Sequence, residues 1–222
     1  VNFFGHAVLA AWRSASPAYV LGAMLPDFAN MIGARAPTVL ESVTEDGVRF
    51  HHQTDAVFHD APTFRALQAE ARKTLRDMGL GRASALAVGH IGVEILLDAA
   101  LARDAAGVRA YLSALERART NAGDVDWGDA TFNERYAGLC TLLADRGVTP
   151  GSADPEAVAF RVERALSSRP RLRLEPGGAH IVFEWAGRAR GPVADAAPAL
   201  VGEVAAGLAE RGQALEVPPA FS

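Results

Sequence analysis

The chain contains one cysteine, Cys140, and one lysine, Lys73, among its 222 residues. A single thiol excludes an internal disulfide framework and any zinc motif built on cysteine pairs, and it fits a reducing compartment. Basic charge carried almost wholly by arginine reads as compositional bias. The net charge of −4 gives no general pull toward nucleic acid or an anionic membrane, so neither partner is expected. No uninterrupted apolar run reaches about eighteen residues, and no membrane-spanning helix is expected. The first residues lack the positive segment and long apolar stretch of a signal peptide, which makes cytoplasmic location the expectation. Also missing are a Gly-rich phosphate loop and a Gly-x-Ser-x-Gly elbow.

What the chain does have is histidine in unusual company. Five of its six histidines fall within the first ninety residues, beside carboxylates at helix-compatible spacing. The set is His6, Asp27, His51-His52-x-x-Asp55-x-x-x-His59 and His90-x-x-x-Glu94-x-x-x-Asp98. Residues four apart share a helix face. Each of the two later clusters therefore projects a row of imidazole and carboxylate groups in one direction, a mixture that suits a divalent metal.

Half the residues are hydrophobic, enough to bury a full core, and no internal repeat appears. Helical periodicity covers residues 2–13 and then restarts at Ser16-Pro17, a cap followed by proline in the first turn. Pro26 falls late in that second pattern, which predicts a break or kink with Asp27 near a helix end. A turn spans Gly33–Pro37, and helical pattern resumes near Thr38, with Gly47 as an interruption. Asp60-Ala61-Pro62 reads as a cap opening a helix that ends at Gly79–Gly81. Ala83–Arg103 is the most apolar helix and the expected centre of the molecule. Further helices are expected at 105–118, 129–145, 154–168 and 198–211. Residues 171–190, with Pro176-Gly177-Gly178 between apolar stretches, predict a short hairpin or an ordered loop. Residues 217–222 read as an extended tail. The expected fold is all-α and one domain, with a small irregular or hairpin segment near the C-terminus. Residues 1–120 form the metal-site half and 121–222 a C-terminal helical half.

Glu94 and Asp98 lie in apolar surroundings, where an unpaired carboxylate is costly. They are read as metal ligands together with His90, the alternative being pairing with arginine. His51 shares a face with Asp55 and His59, whereas His52 is rotated by about 100° and serves as an alternative or supporting ligand. His59 is either a ligand or a donor that orients a carboxylate. His6 and Asp27 join the set through its company. Four convergent carboxylates (Asp27, Asp55, Glu94, Asp98) would repel one another, and one or two divalent cations remove that repulsion. Mn or Fe suits the carboxylate-rich set best, with Zn or Mg compatible. Such a site activates water and holds phosphoryl oxygens, so a phosphoester is the expected substrate. Asp55, His59 and Glu94 are the candidate catalytic residues. Cys140 reads as core, His180 as structural, and the arginines between 161 and 173 as a solvated face.

At these residues the chain resembles the acyl carrier protein phosphodiesterase family, within the wider group of HD-domain-like metal hydrolases. The opening Asn2-Phe3-Phe4-Gly5-His6-Ala7-Val8-Leu9-Ala10 is similar to that family's start. Gly22-Ala23-Met24-Leu25-Pro26-Asp27-Phe28 is similar to its next motif. His51 with Asp55, Glu94 with Asp98, and Arg169-Pro170-Arg171-Leu172 follow in the family's order. The resemblance implies an HD-like helical bundle binding Mn or Mg, and hydrolysis of a phosphodiester. It also implies holo acyl carrier protein as substrate, with phosphopantetheine released from a serine. His6, Asp27, His51, Asp55, Glu94 and Asp98 inherit the metal or catalytic assignment through it. The chain departs from the pattern at His52, where the family has arginine, at Phe58-His59, at Ala99 and at the additional His90. Pro26-Asp27 and Gly89-His90 are also similar to zinc-dependent phospholipase C-like proteins. Two further alternatives are an HD-like di-iron oxygenase and a non-enzymatic helical protein holding a structural metal.

Overall fold

The computed structural model describes residues 2–167 and 169–221. Among them the protein is all-α, with nine α-helices and one pair of two-residue strands. Two compact units share the chain. The first comprises Val1–Phe58, Asp104–Val148 and Val204–Pro219; the second comprises His59–Arg103, Thr149–Glu203 and Ala220–Ser222. Residues 1–120 contribute to both units.

In the first unit, α1 (Phe3–Ala11) starts at Asn2, whose side chain accepts the Phe3 amide at 3.0 Å. Helix α2 (Pro17–Ile32) opens with Pro17 in its first turn and closes on Gly33 in the left-handed region, φ 73°. Pro26 does not end it. The helix runs on to Ile32, and Asp27 sits inside it rather than at an end. Burial on both sides of the proline, from Leu21–Leu25 to Phe28 and Ile32, outweighs the one lost backbone hydrogen bond.

Helix α3 (Ser42–Asp60) is likewise uninterrupted at Gly47. A Cβ there would stand 2.1 Å from the Tyr19 carbonyl oxygen, and one at Gly22 would stand 2.0 Å from that of Thr44. The two glycines let the backbones of α2 and α3 touch. Before α3, Thr38–Val39 (β1) forms an antiparallel pair with Val125–Asp126 (β2), where the sequence suggested helix.

Helix α6 (Ala105–Thr120) is capped by Asp104, which accepts from the Ala106 amide at 3.0 Å and from Trp12 Nε1–H at 2.7 Å. Helix α7 (Ala130–Arg146) follows, capped by Asp129. The core of this unit includes Phe4, Met24, Phe28, Tyr111 and Leu115. Phe4 meets Tyr111 edge to face, with 5.2 Å between ring centroids.

The second unit contains α4 (Pro62–Asp77), α5 (Arg82–Leu101), α8 (Pro155–Leu166) and α9 (Gly178–Ala209) as far as Glu203. Glu203 accepts from the amide and hydroxyl of Thr63, at 2.9 and 2.7 Å, and so anchors the first turn of α4. Helix α5 is buried over most of its length, as its composition implies. Gly92 faces Trp185, whose ring would lie 2.5 Å from an added Cβ.

The hairpin or loop expected at 171–190 is only partly found. Turns occupy 170–172 and 176–177, and α9 then begins at Gly178. Val182, Trp185, Ala186, Val193 and Ala197 are buried, related by separations of three, four and seven residues, a pattern too short before Pro192 to separate from a strand by periodicity. Pro192 and Pro198 both lie inside this helix, so it starts well before the residue 198 that the sequence pattern predicts. The tail is not wholly extended, since Pro219–Phe221 forms a single 3-10 turn with Phe221 buried. Ser168, at the expected end of α8, and Ser222 lie outside the described residues.

By length and composition α5 and α9 could each cross a membrane, which counting uninterrupted apolar runs did not anticipate. In α5, 67% of the apolar window is packed inside protein, as in the central helix of a folded core, against 33% in α9.

Candidate metal centre

The structure gathers six of the candidate residues into two groups, and a seventh, Asp55, contacts the first. One ligand atom from each of His6, Asp27 and His51 lies within 4.8 Å of the others. These residues come from α1, α2 and α3 of the first unit. His6 is fully buried, and His51 is 4% exposed. Their rings stack at 3.8 Å between centroids.

Each imidazole in this pair has its tautomer set by a neighbour that can only accept. His51 Nδ1–H donates to the Ala23 carbonyl oxygen at 2.9 Å, leaving the Nε2 lone pair for an ion. His6 Nε2–H donates to Asp55 Oδ1 at 3.2 Å, and His6 Nδ1 is buried without a hydrogen-bond partner. Burial pushes His6 down to about 3 against the opposing bond to Asp55, and pushes His51 down to about 4 against the bond to Ala23. Both rings are therefore neutral at pH 7, the state a metal requires. Burial would raise the Asp55 acid, but the His6 hydrogen bond and the nearby His51 take it well below the usual carboxylate range. A carboxylate held that low is a poor proton acceptor and a good orienting group.

His59, His90 and Glu94 form the other group, in the second unit, with ligand atoms again within 4.8 Å. Glu94 Oε1 is 3.3 Å from His90 Nε2 and 3.5 Å from His59 Nε2. The two rings stack at 5.2 Å and 20°. Phe64 of α4 meets both edge to face, at 5.5 and 5.6 Å. Gln68, one turn further along α4, bonds His90 Nδ1 through its amide at 2.6 Å. Burial opposes ionisation of Glu94, yet its contacts with His59 and His90 hold the acid well below the ordinary range.

Two of the sequence candidates fall in neither group. Asp98 is buried and faces Arg161 of α8 at 3.6 Å, the arginine pairing that was the alternative to ligation. His52 is exposed, its ring edge-on to that of His51. Outside the candidate set, Cys140 is buried and His180 is exposed, stacking on Phe183. A cleft of about 500 Å³ in the first unit is lined by Arg13, Tyr19, Asp46, Arg49, Phe50 and Gln53 among others, but by no member of either group. The Ala23 carbonyl, Gln68 and Phe64 carry no signal in the sequence, and Arg161, read there as part of a solvated face, instead faces buried Asp98. A main-chain acceptor leaves no residue-type signal, and Gln68 carries no spacing relation to His90.

Compared with protein-family models, curated proteins and solved structures, the chain matches none.

Proposed function

We propose that the protein is a metal-dependent phosphoester hydrolase acting on a phosphodiester, with holo acyl carrier protein as the candidate substrate. The observation that carries this reading is the His6–Asp27–His51 group, in which two neutral imidazoles and a carboxylate converge on one point. These three residues are among the six to which the resemblance to acyl carrier protein phosphodiesterases assigns metal or catalytic roles; Asp55 contacts them, while Glu94 and Asp98 lie elsewhere. A divalent ion of the Mn, Mg, Fe or Zn class bound there would supply Lewis acidity and activate water at neutral pH. The chain's own contribution is placement. Ala23 fixes the His51 tautomer, Asp55 fixes His6, and the packed helices hold both against rotation. Because Asp55 stays ionised, its role is to orient or ligate rather than to accept a proton. Hydrolysis joins a water oxygen to phosphorus and breaks the bond to the leaving alcohol, which departs with a proton.

The near-complete burial of His6 and His51 favours a second reading, a closed structural metal site without turnover. One experiment separates the two. Protein purified without added metal is analysed for elements, then assayed on bis(p-nitrophenyl) phosphate and on holo acyl carrier protein before and after chelation. The hydrolase reading requires metal-dependent release of p-nitrophenol or phosphopantetheine, lost in His51→Gln and Asp27→Asn variants of unchanged helical content. Bound metal with no turnover of either substrate, and a lower Tm after chelation, would establish the structural site instead. Oxygen-dependent activity under the same assay would point to the di-iron alternative.

A further inference from the structure

We propose that His59, His90 and Glu94 form a site of their own for a divalent ion of the zinc class, with one coordination position open to solvent. The inference goes beyond the hydrolase reading and does not rest on it.

The donor spacing is the first argument. The Glu94 oxygen stands 3.3 and 3.5 Å from the two imidazole nitrogens. Ligand atoms held about 2.0–2.1 Å from a tetrahedral zinc lie about 3.3 Å from one another. The two observed separations match those between neighbouring ligand atoms of such an ion, and all three donor atoms lie within 4.8 Å of one another.

Preorganisation is the second. The rings are stacked and braced edge-on by Phe64, so neither has to rotate to bring Nε2 toward the Glu94 oxygen. His90 Nδ1 already has its supporting partner in Gln68. With the Gln68 amide turned end for end, its oxygen accepts from Nδ1–H and the Nε2 lone pair is released to the ion.

Exposure completes the case. His59 Nε2 is buried and Glu94 is 13% exposed, while both histidine side chains are 37% exposed, so a fourth ligand has to arrive along the rings. Two imidazoles and one carboxylate with an open position is a donor set used by catalytic zinc, and the nitrogen pair disfavours Mg²⁺ or Ca²⁺.

The test is a titration of the metal-stripped full chain with Zn²⁺ by calorimetry and with Co²⁺ by visible absorption. Wild type should take up one equivalent more than His90→Gln or Glu94→Gln, and Gln68→Ala should weaken that equivalent by about 10–100-fold. His51→Gln should leave this equivalent in place, so failure of the buried group and failure of this one are read separately. Independently of any variant, Zn²⁺ should shield His59 and His90 of the unaltered chain from carbethoxylation, followed by mass spectrometry. Equal modification with and without Zn²⁺, or wild-type stoichiometry in both His90→Gln and Glu94→Gln, overturns the site.

Discussion

At the scale of single residues, the chemistry rests on imidazoles whose protons are assigned by what they touch. His51 presents Nε2 because the Ala23 carbonyl claims Nδ1–H, and His6 is set the same way by Asp55. Under the proposed function, His51→Gln is expected to lower phosphodiester turnover by about 100-fold or more, as loss of a ligand or its support does elsewhere. Steady-state assay beside circular dichroism checks it. Cys140 supplies a pH prediction remote from the site. Burial raises its thiol to about 12, and burial likewise raises the Tyr136 hydroxyl beside it. Above about pH 9 the unfolded chain releases the Cys140 proton while the folded chain keeps it, so folding stability falls as pH rises from 9 toward 12. Denaturant titrations at pH 7.5 and 10 should show the midpoint moving down, and Cys140→Ser should remove part of that dependence. Below pH 9 a thiol reagent should label Cys140 only after denaturation.

At the scale of elements, helix starts and close helix contacts decide more than propensity does. Asp104 caps α6 and holds the Trp12 indole, two functions on one carboxylate. Asp104→Ala is expected to cost about 1–3 kcal/mol, from the lost cap and the unpaired indole N–H, measured by urea unfolding. Asp129→Ala, at an exposed cap with no indole to strand, should cost less and serves as the comparison. The Gly22–Gly47 contact is stricter. A Cβ at either position would collide with a backbone carbonyl about 2 Å away, and carbonyls cannot step aside as side chains do. Gly47→Ala should therefore lose about 3 kcal/mol or more. It should also weaken metal uptake at His51, which lies one helical turn further along α3.

At the scale of the whole molecule, an ion held by groups from separate helices stabilises only the folded chain. At a free metal concentration one hundred times Kd, the gain is about 2.7 kcal/mol per site. Chelation should therefore lower Tm, and restoring metal should raise it in proportion to the logarithm of its concentration. A Tm that ignores both chelator and metal would remove the bound ion from the account of stability.

The helical class, the helix starts at Pro17 and Pro62, and the candidate histidines and carboxylates were all readable from order and spacing, although no side chain caps either start and Asp60 ends the preceding helix. These depend on short-range physics: a four-residue step shares a face whatever the tertiary structure. Pro26 and the prolines of α9 were misread because a local rule for helix breaking was outweighed by burial along the same helices. The hairpin expected near residue 180 failed for a related cause, a short apolar run that fits either period. Grouping was beyond the sequence. The spacing that joined Asp98 to Glu94 could not reveal Arg161 opposite it, nor could it reveal the main-chain oxygen that orients His51. Local pattern determined which residues could ligate and on which helix faces they stand. Which of them meet, and which proton each imidazole carries, was decided only by the packing of helices distant in sequence, because ligation and tautomer choice depend on distances that no spacing along the chain contains.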